Sequence, residues 1–180
     1  ATASNEGQAT TVPVTLPIND SLDDLALWDS LGTWGIETNA TGSWLSDSPD
    51  RPYNNNQRDT DNYALTAVDL STATWPVLTF SDTFNLTGND RGYLQISENG
   101  TDWPIRYTVT GQRSEWAVQQ IDLSEWAGKP NIRIRFYLYS DGATTADGWK
   151  IDDIAVAEHV PPTAQALPII ERFEDGATNW

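Results

Sequence analysis

The chain has 180 residues, with 26 Asp and Glu against 10 Lys and Arg, a formal net charge of −16 and a pI near 4.1. That charge makes nucleic acid and anionic membrane surfaces poor partners; the absence of Cys excludes disulfides and thiolate chemistry, and a single His leaves no HExxH or multi-histidine metal site. No apolar run approaches the roughly 20 residues that span a bilayer, so no membrane insertion is expected, while nine Trp, six Tyr and four Phe compensate for few aliphatics.

Along the chain, residues 1–11 are small and polar, as in a segment left by cleavage or a linker. With no Met and no signal peptide, the sequence reads as a mature or excised piece. From there the apolar period is 2 rather than 3.6. Strands are predicted at Val12–Ile18, Trp34–Glu37, Tyr63–Ala67, Val77–Leu86, Gly92–Ser97 and Ile105–Thr110, and then at Trp116–Leu123, Asn131–Tyr139 and Trp149–Val156. Asp20–Ser30 holds at most one short helical turn. The alternation slips at Gln119–Gln120, which predicts a bulge there. Asn131–Tyr139 is the clearest strand: Ile132, Ile134, Phe136 and Leu138 alternate with Arg133, Arg135, Tyr137 and Tyr139, one face core and the other wet. Turn clusters such as Gly88-Asn89-Asp90, Asn99-Gly100 and Asp141-Gly142 separate the strands, and Ser46–Asp61 forms a long polar loop. The pattern predicts an all-β fold, a two-sheet antiparallel jelly-roll β-sandwich.

Val160-Pro161-Pro162 interrupts the last strand pattern. Beyond it, Leu167-Pro168-Ile169 repeats Leu16-Pro17-Ile18 at an offset of 151, with Glu174, Asp175 and Ala177 aligned to Asp23, Asp24 and Ala26. The expected division is a polar segment at 1–11, one domain at 12–158, a linker at 159–166, and at 167–180 the start of a second copy or a donor strand.

Several motifs carry a family likeness. They include Trp44-x-Ser46-Asp47-Ser48-Pro49, Asp90-x-Gly92-Tyr-Leu-Gln-Ile-Ser97 and Ile121-Asp-Leu-Ser-x-Trp-Ala-Gly128. The most specific is Asp147-Gly148-Trp149-x-Ile151-Asp152-Asp153-Ile154. From about Leu16 to Val156 the chain resembles the MAM-like jelly-roll modules of large secreted bacterial proteins, such as the accessory domains of immune-inhibitor-A-type metallopeptidases and cleaved-adhesin modules. The resemblance implies a non-catalytic β-sandwich, often with structural calcium, and places the first strand's acidic residue, here Asp23, near the last strand. Two departures stand out: Asp50-Arg51 replaces the usual glycines, and Leu22-Asp23 replaces the usual Phe-Glu, which Phe173-Glu174 restores in the second copy.

Calcium also suits the residue types, because it takes oxygen ligands and needs neither His nor Cys. By period 2, Asp152 shares the core face of Ile154 and Val156, where a carboxylate is costly unless paired or metal-bound. The expected ligands are Asp23, Asp47 and Asp152, with Asp24 and Asp153 in reserve. Catalytic readings are weaker. Adjacent Asp152 and Asp153 point to opposite faces and cannot flank one glycosidic bond, Ser46 and Ser48 have no base, and His159 reads as a linker residue; no enzyme is expected. A carbohydrate-binding face is an alternative, on Arg133, Arg135, Tyr137 and Tyr139 with loop-borne Trp126, Trp103 and Tyr53. Of four glycosylation sequons, at Asn19, Asn39, Asn85 and Asn99, Asn39 and Asn99 look turn-exposed. Two functions are therefore expected of a secreted or cell-surface protein. One is a calcium-stabilised structural repeat joined to copies of itself or neighbouring repeats; the other is a carbohydrate- or protein-binding accessory module of a secreted hydrolase.

Overall fold

The period-2 segments pair into two six-stranded sheets in the computed structural model, which describes residues 12–58 and 62–159. The expectations for residues 1–11, for the linker after His159 and for the second copy at 167–180 lie outside the described residues, as do Asp59 and Asp61. One sheet contains β1 (Val14–Thr15), β3 (Asp29–Leu31), β6 (Tyr63–Asp69), β8 (Arg91–Ser97), β9 (Ile105–Val109) and β11 (Ile132–Tyr139). Its order is β1-β6-β11-β8-β9, with β3 also on β6. The other contains β2 (Ile18–Asp20), β4 (Gly35–Asn39), β5 (Gly42–Ser46), β7 (Pro76–Asn85), β10 (Gln112–Asp122) and β12 (Gly148–Glu158). Its order is β10-β7-β12-β5-β4, with β2 also on β12. Among the described residues β1–β6 is parallel and the other pairings are antiparallel. This is the expected all-β jelly-roll sandwich.

Inward rows of the two sheets meet face to face. Ile132, Ile134, Phe136 and Leu138 of β11 oppose Leu78 and Phe80 of β7 and Trp149, Ile151, Ile154 and Val156 of β12, all of them buried. Trp149 is the centre. Its ring meets Phe136 edge-on at 5.4 Å and Trp34 at 6.3 Å. It fits only because Gly92 of β8 lies alongside: a Cβ there would stand 2.6 Å from the Trp149 ring and 2.5 Å from Val109.

Three local expectations are corrected. Asp20–Ser30 makes turns and β3 instead of a helical turn; the short helix of the described residues is 3₁₀, at Ser124–Trp126. The register shift in β10 falls between Arg113 and Ala117, while Gln119 and Gln120 stay in register opposite Phe80 and Thr79. Gln119 breaks the apolar alternation because its amide Nε2 donates to buried Asp82 at 3.0 Å, so a polar residue occupies an inward position with a polar partner. The third concerns β12. Its inward positions are 149 and 151, then 154 and 156, a change of parity caused by a bulge between Asp152 and Ala155, with Asp153 at φ 51°. Asp152 thus sits at a bulge and not on the inward row of Ile154 and Val156.

Candidate functional site

The bulge draws the acidic residues of the first turn and the last strand together. β2 pairs with β12 through Asp20 opposite Ile154. Asp20 is engaged locally, accepting from the Leu22 N–H at 2.9 Å and the Trp28 Nε1–H at 2.9 Å. Asp23 accepts from the Ser21 hydroxyl and Asp24 from the Ala26 N–H, both at 2.8 Å. Burial pushes the Asp152 carboxyl up from its ordinary pKa; its bond from the Asp153 N–H opposes this, and the charges of Asp153, Asp23 and Asp20 add to the rise. That mutual repulsion is what a divalent cation relieves, and the all-oxygen donor set fits calcium. Among the described residues no three acidic or histidine side chains form a metal-holding group; calcium accepts backbone carbonyls and water beside carboxylates.

Asp47 belongs elsewhere. Its Oδ1 accepts from the Trp149 N–H at 2.5 Å, and Gly148, at φ 98°, leaves no room for a Cβ against that carboxylate. Asp47 is fully buried, its Oδ2 has no partner, and burial raises its pKa to about 7 against the opposing Trp149 bond. The acidic charge it feels is Asp147, not Asp152. The structure therefore splits the expected ligands into an Asp23–Asp152 cluster and a separate Asp47.

The expected sugar-binding row on β11 is largely closed. Arg135 is 5% exposed and Tyr137 7%. The Arg135 guanidinium lies 4.1 Å from the centre of the Trp103 ring and donates twice to the Gln95 side chain, while Tyr137 stacks on Tyr93 at 5.7 Å. Arg58 covers Tyr139 at 4.5 Å and Arg106 covers buried Trp126 at 4.5 Å. Tyr53 is buried too, donating to Asp90 at 2.5 Å. Arg133 is half-buried, with its guanidinium beside Gly100. The outward row is consumed by its own cation–ring packing. Asn39 and Asn99 are exposed as expected, Asn99 serving as a turn cap for the Thr101 and Asp102 N–H groups.

The open site lies on the other sheet. A cleft of about 360 Å³ crosses it, lined from β4, β5, β7, β10 and β12. Trp116 of β10 is 43% exposed and meets the Trp44 ring of β5 at 6.0 Å and 57°. Thr41, Asn85, Gln112 and Ser114 supply amides and hydroxyls along its walls. Two cations line it as well. Lys150 donates to Glu37 at 2.8 Å and to Asp147 at 3.1 Å beneath the Trp44 ring; burial lowers its pKa, but these two carboxylates outweigh burial and raise it overall. Arg113 lies over the Phe84 ring at 4.8 Å and pairs with Asp82.

Asp82 anchors this floor from inside the sandwich. It follows Leu78 and Phe80 on the inward row of β7 and is fully buried. Its carboxylate accepts from the Trp149 Nε1–H at 3.1 Å, the Tyr107 hydroxyl at 3.3 Å, Gln119 and Arg113. Burial raises its pKa against those donors. Period 2 alone puts Asp82 inward, so its place was readable. Trp116 and Trp44 carried no such signal, because strand order decides that β10 and β5 flank one cleft.

No family model matches the chain. It is 30% identical over 147 residues to Bacillopeptidase F of Bacillus subtilis (strain 168); the match takes in 73% of this chain and spans about a tenth of the length of that curated relative, 10%. The K1 cleaved adhesin domain of Lys-gingipain from Porphyromonas gingivalis W83 superposes with a TM-score of 0.54 at 16% identity, covering 80% of this chain and 99% of that domain. The C-terminal family 22 carbohydrate-binding module of a Clostridium thermocellum protein gives 0.51 at 13%, covering 78% and 92%. At such identities these likenesses establish the fold: the chain is a jelly-roll sandwich of the shape shared by cleaved-adhesin domains and carbohydrate-binding modules.

Proposed function

We propose that this chain is a non-catalytic, extracellular accessory module that binds carbohydrate in the cleft of the β10-β7-β12-β5-β4 sheet. The observation that carries the reading is the Trp44–Trp116 pair, with a Trp ring presented to solvent in a cleft whose walls also offer amides and hydroxyls. A flat apolar ring face beside fixed hydrogen-bonding groups suits the alternating C–H faces and hydroxyl edges of a sugar. Support comes also from the names of similar proteins, a carbohydrate-binding module in one case and a peptidase far longer than this chain in another. Both fit an appended module whose role is attachment. Within that reading the MAM-like and cleaved-adhesin resemblance supplies calcium as a structural ion, held by Asp152 and Asp23, with Asp24 and Asp153 in reserve; it supplies rigidity and no chemistry. The test is a glycan array probed with the wild type and Trp116→Ala. Binding that falls at least about tenfold in the variant, at an unchanged melting temperature, supports the site. Binding that survives the substitution rejects it.

The recurrence of Leu16-Pro17-Ile18 at Leu167-Pro168-Ile169 favours a second reading, a repeat that joins copies of itself by adding a strand. Sedimentation decides it: a chain that remains monomeric at high concentration, with or without residues 167–180, rules out self-joining.

A further inference from the structure

We infer that the cleft is built for neutral glycan chains and excludes acidic ones. The inference rests on the carbohydrate reading and adds the chemical class of the ligand. Its two cations do not face the cleft as free charges. Lys150 is clamped between Glu37 and Asp147, with the Trp44 ring against its ammonium, and both it and Glu37 are largely buried, their side chains 15% and 13% exposed. Arg113 is tied to the buried Asp82 carboxylate and the Phe84 ring. The two cations of the cleft lining thus meet three carboxylates, Asp147 in the lining and Glu37 and Asp82 behind it, which leaves no positive site for a uronate or sulfate. A buried cation already neutralised by fixed partners gains little from a second anion, because that anion must give up its own hydration to approach. The whole chain, at −16, adds long-range repulsion. What remains presented to a ligand is the exposed Asp147 carboxylate, which repels an acidic chain, and beside it uncharged groups: the exposed Trp116 ring, the Asn85 and Gln112 amides, and the Thr41 and Ser114 hydroxyls.

The experiment is biolayer interferometry of the full chain on immobilised oligosaccharides, neutral (xylo-, manno- and β-gluco-oligosaccharides) and acidic (oligogalacturonate and alginate oligomers). The variants are Asp147→Asn and Glu37→Gln/Asp147→Asn. Wild type is expected to bind at least one neutral chain and no acidic one. The double variant is expected to keep neutral binding and gain acidic binding of about tenfold or more over background. That gain should disappear at high salt, although the variant's net charge, −16 plus 2, is still −14. Asp147 is exposed, so the single variant preserves the fold and should show the same gain in smaller measure. Acidic binding by the wild type overturns the inference and leaves the carbohydrate reading standing, as does a double variant that folds and gains nothing. Failure of the wild type to bind either panel overturns both.

Discussion

Asp47 carries a carboxyl group that the fold removes entirely from water, and its consequences are readable as a pH dependence. Its pKa rises from 3.8 to about 7 on folding. Because the shift is upward, the native state keeps a proton that the unfolded chain has already released. Stability from this group is therefore complete below about pH 4, declines as the pH rises, and is lost once the pH passes about 7. The full span corresponds to roughly 4 kcal/mol. Asp47→Asn retains an oxygen for the Trp149 N–H and has no proton to lose. Urea titrations in the presence of a chelator should show the wild type losing stability relative to this variant between pH 5 and pH 8; parallel pH profiles would refute the buried, protonated Asp47. A second single-residue constraint is steric. Gly92→Ala forces a methyl group into the Trp149 ring and Val109 at the middle of the sandwich, where neighbours on both sides are fully packed. It is expected to cost about 1–3 kcal/mol, read as a lower urea midpoint with an unchanged slope.

Strands β7 and β10 are joined by an antiparallel ladder, and Asp82 ties that pair to the core. Its carboxylate joins Trp149 and Tyr107 in the core to Arg113 at the cleft floor. Asp82→Ala takes the carboxylate from the part-exposed Arg113 guanidinium, which keeps the residue-82 carbonyl, and leaves the buried Trp149 indole N–H without its acceptor, a loss expected to cost about 1–3 kcal/mol. A variant unfolding at the wild-type urea concentration would show that this network is not holding the sheets. The same strands show how far sequence reaches. Eight of the nine predicted strands recur, because alternation is a local signal and one buried face enforces it; the ninth, Val12–Ile18, is divided at Leu16-Pro17 into β1 and the start of β2, on different sheets, and β2 to β5 and their pairings were only partly visible, their residues being few and irregular. The outward row of β11 misled for a physical reason: Arg135 and Tyr137 are polar enough to read as wet, yet a guanidinium among Trp103, Tyr63 and Tyr137 rings packs as core. The parity of β12 misled likewise, since a bulge adds one residue without leaving a mark in the hydrophobic pattern. The cleft was not legible at all. Its walls come from residues 39–44, 83–85, 112–116 and 147–150, which only the strand order brings side by side.

At the scale of the molecule, a net charge of −16 means that carboxylates repel one another across the whole surface, and the native state bears that cost more than the expanded chain does. Repulsion acts where β2 meets the β12 bulge, since Asp152 there feels Asp153, Asp23 and Asp20 at once. A calcium ion bound in that place, as proposed, would turn this repulsion into a clamp between the first and last strands of one sheet. Binding to the native state alone stabilises it by about 2.7 kcal/mol at a hundredfold excess over the dissociation constant, which for a chain of this size raises the melting temperature by roughly 5–10 °C. The two acidic places then part company experimentally. Calcium added to chelator-treated wild type should raise the melting temperature by that amount. Asp152→Asn should abolish most of the increase, whereas Asp47→Asn should keep it, because Asp47 responds to Asp147 and lies outside the cluster. Equal loss of the calcium response in both variants would join the two places into one site, and no response in the wild type would remove calcium from the account of this fold.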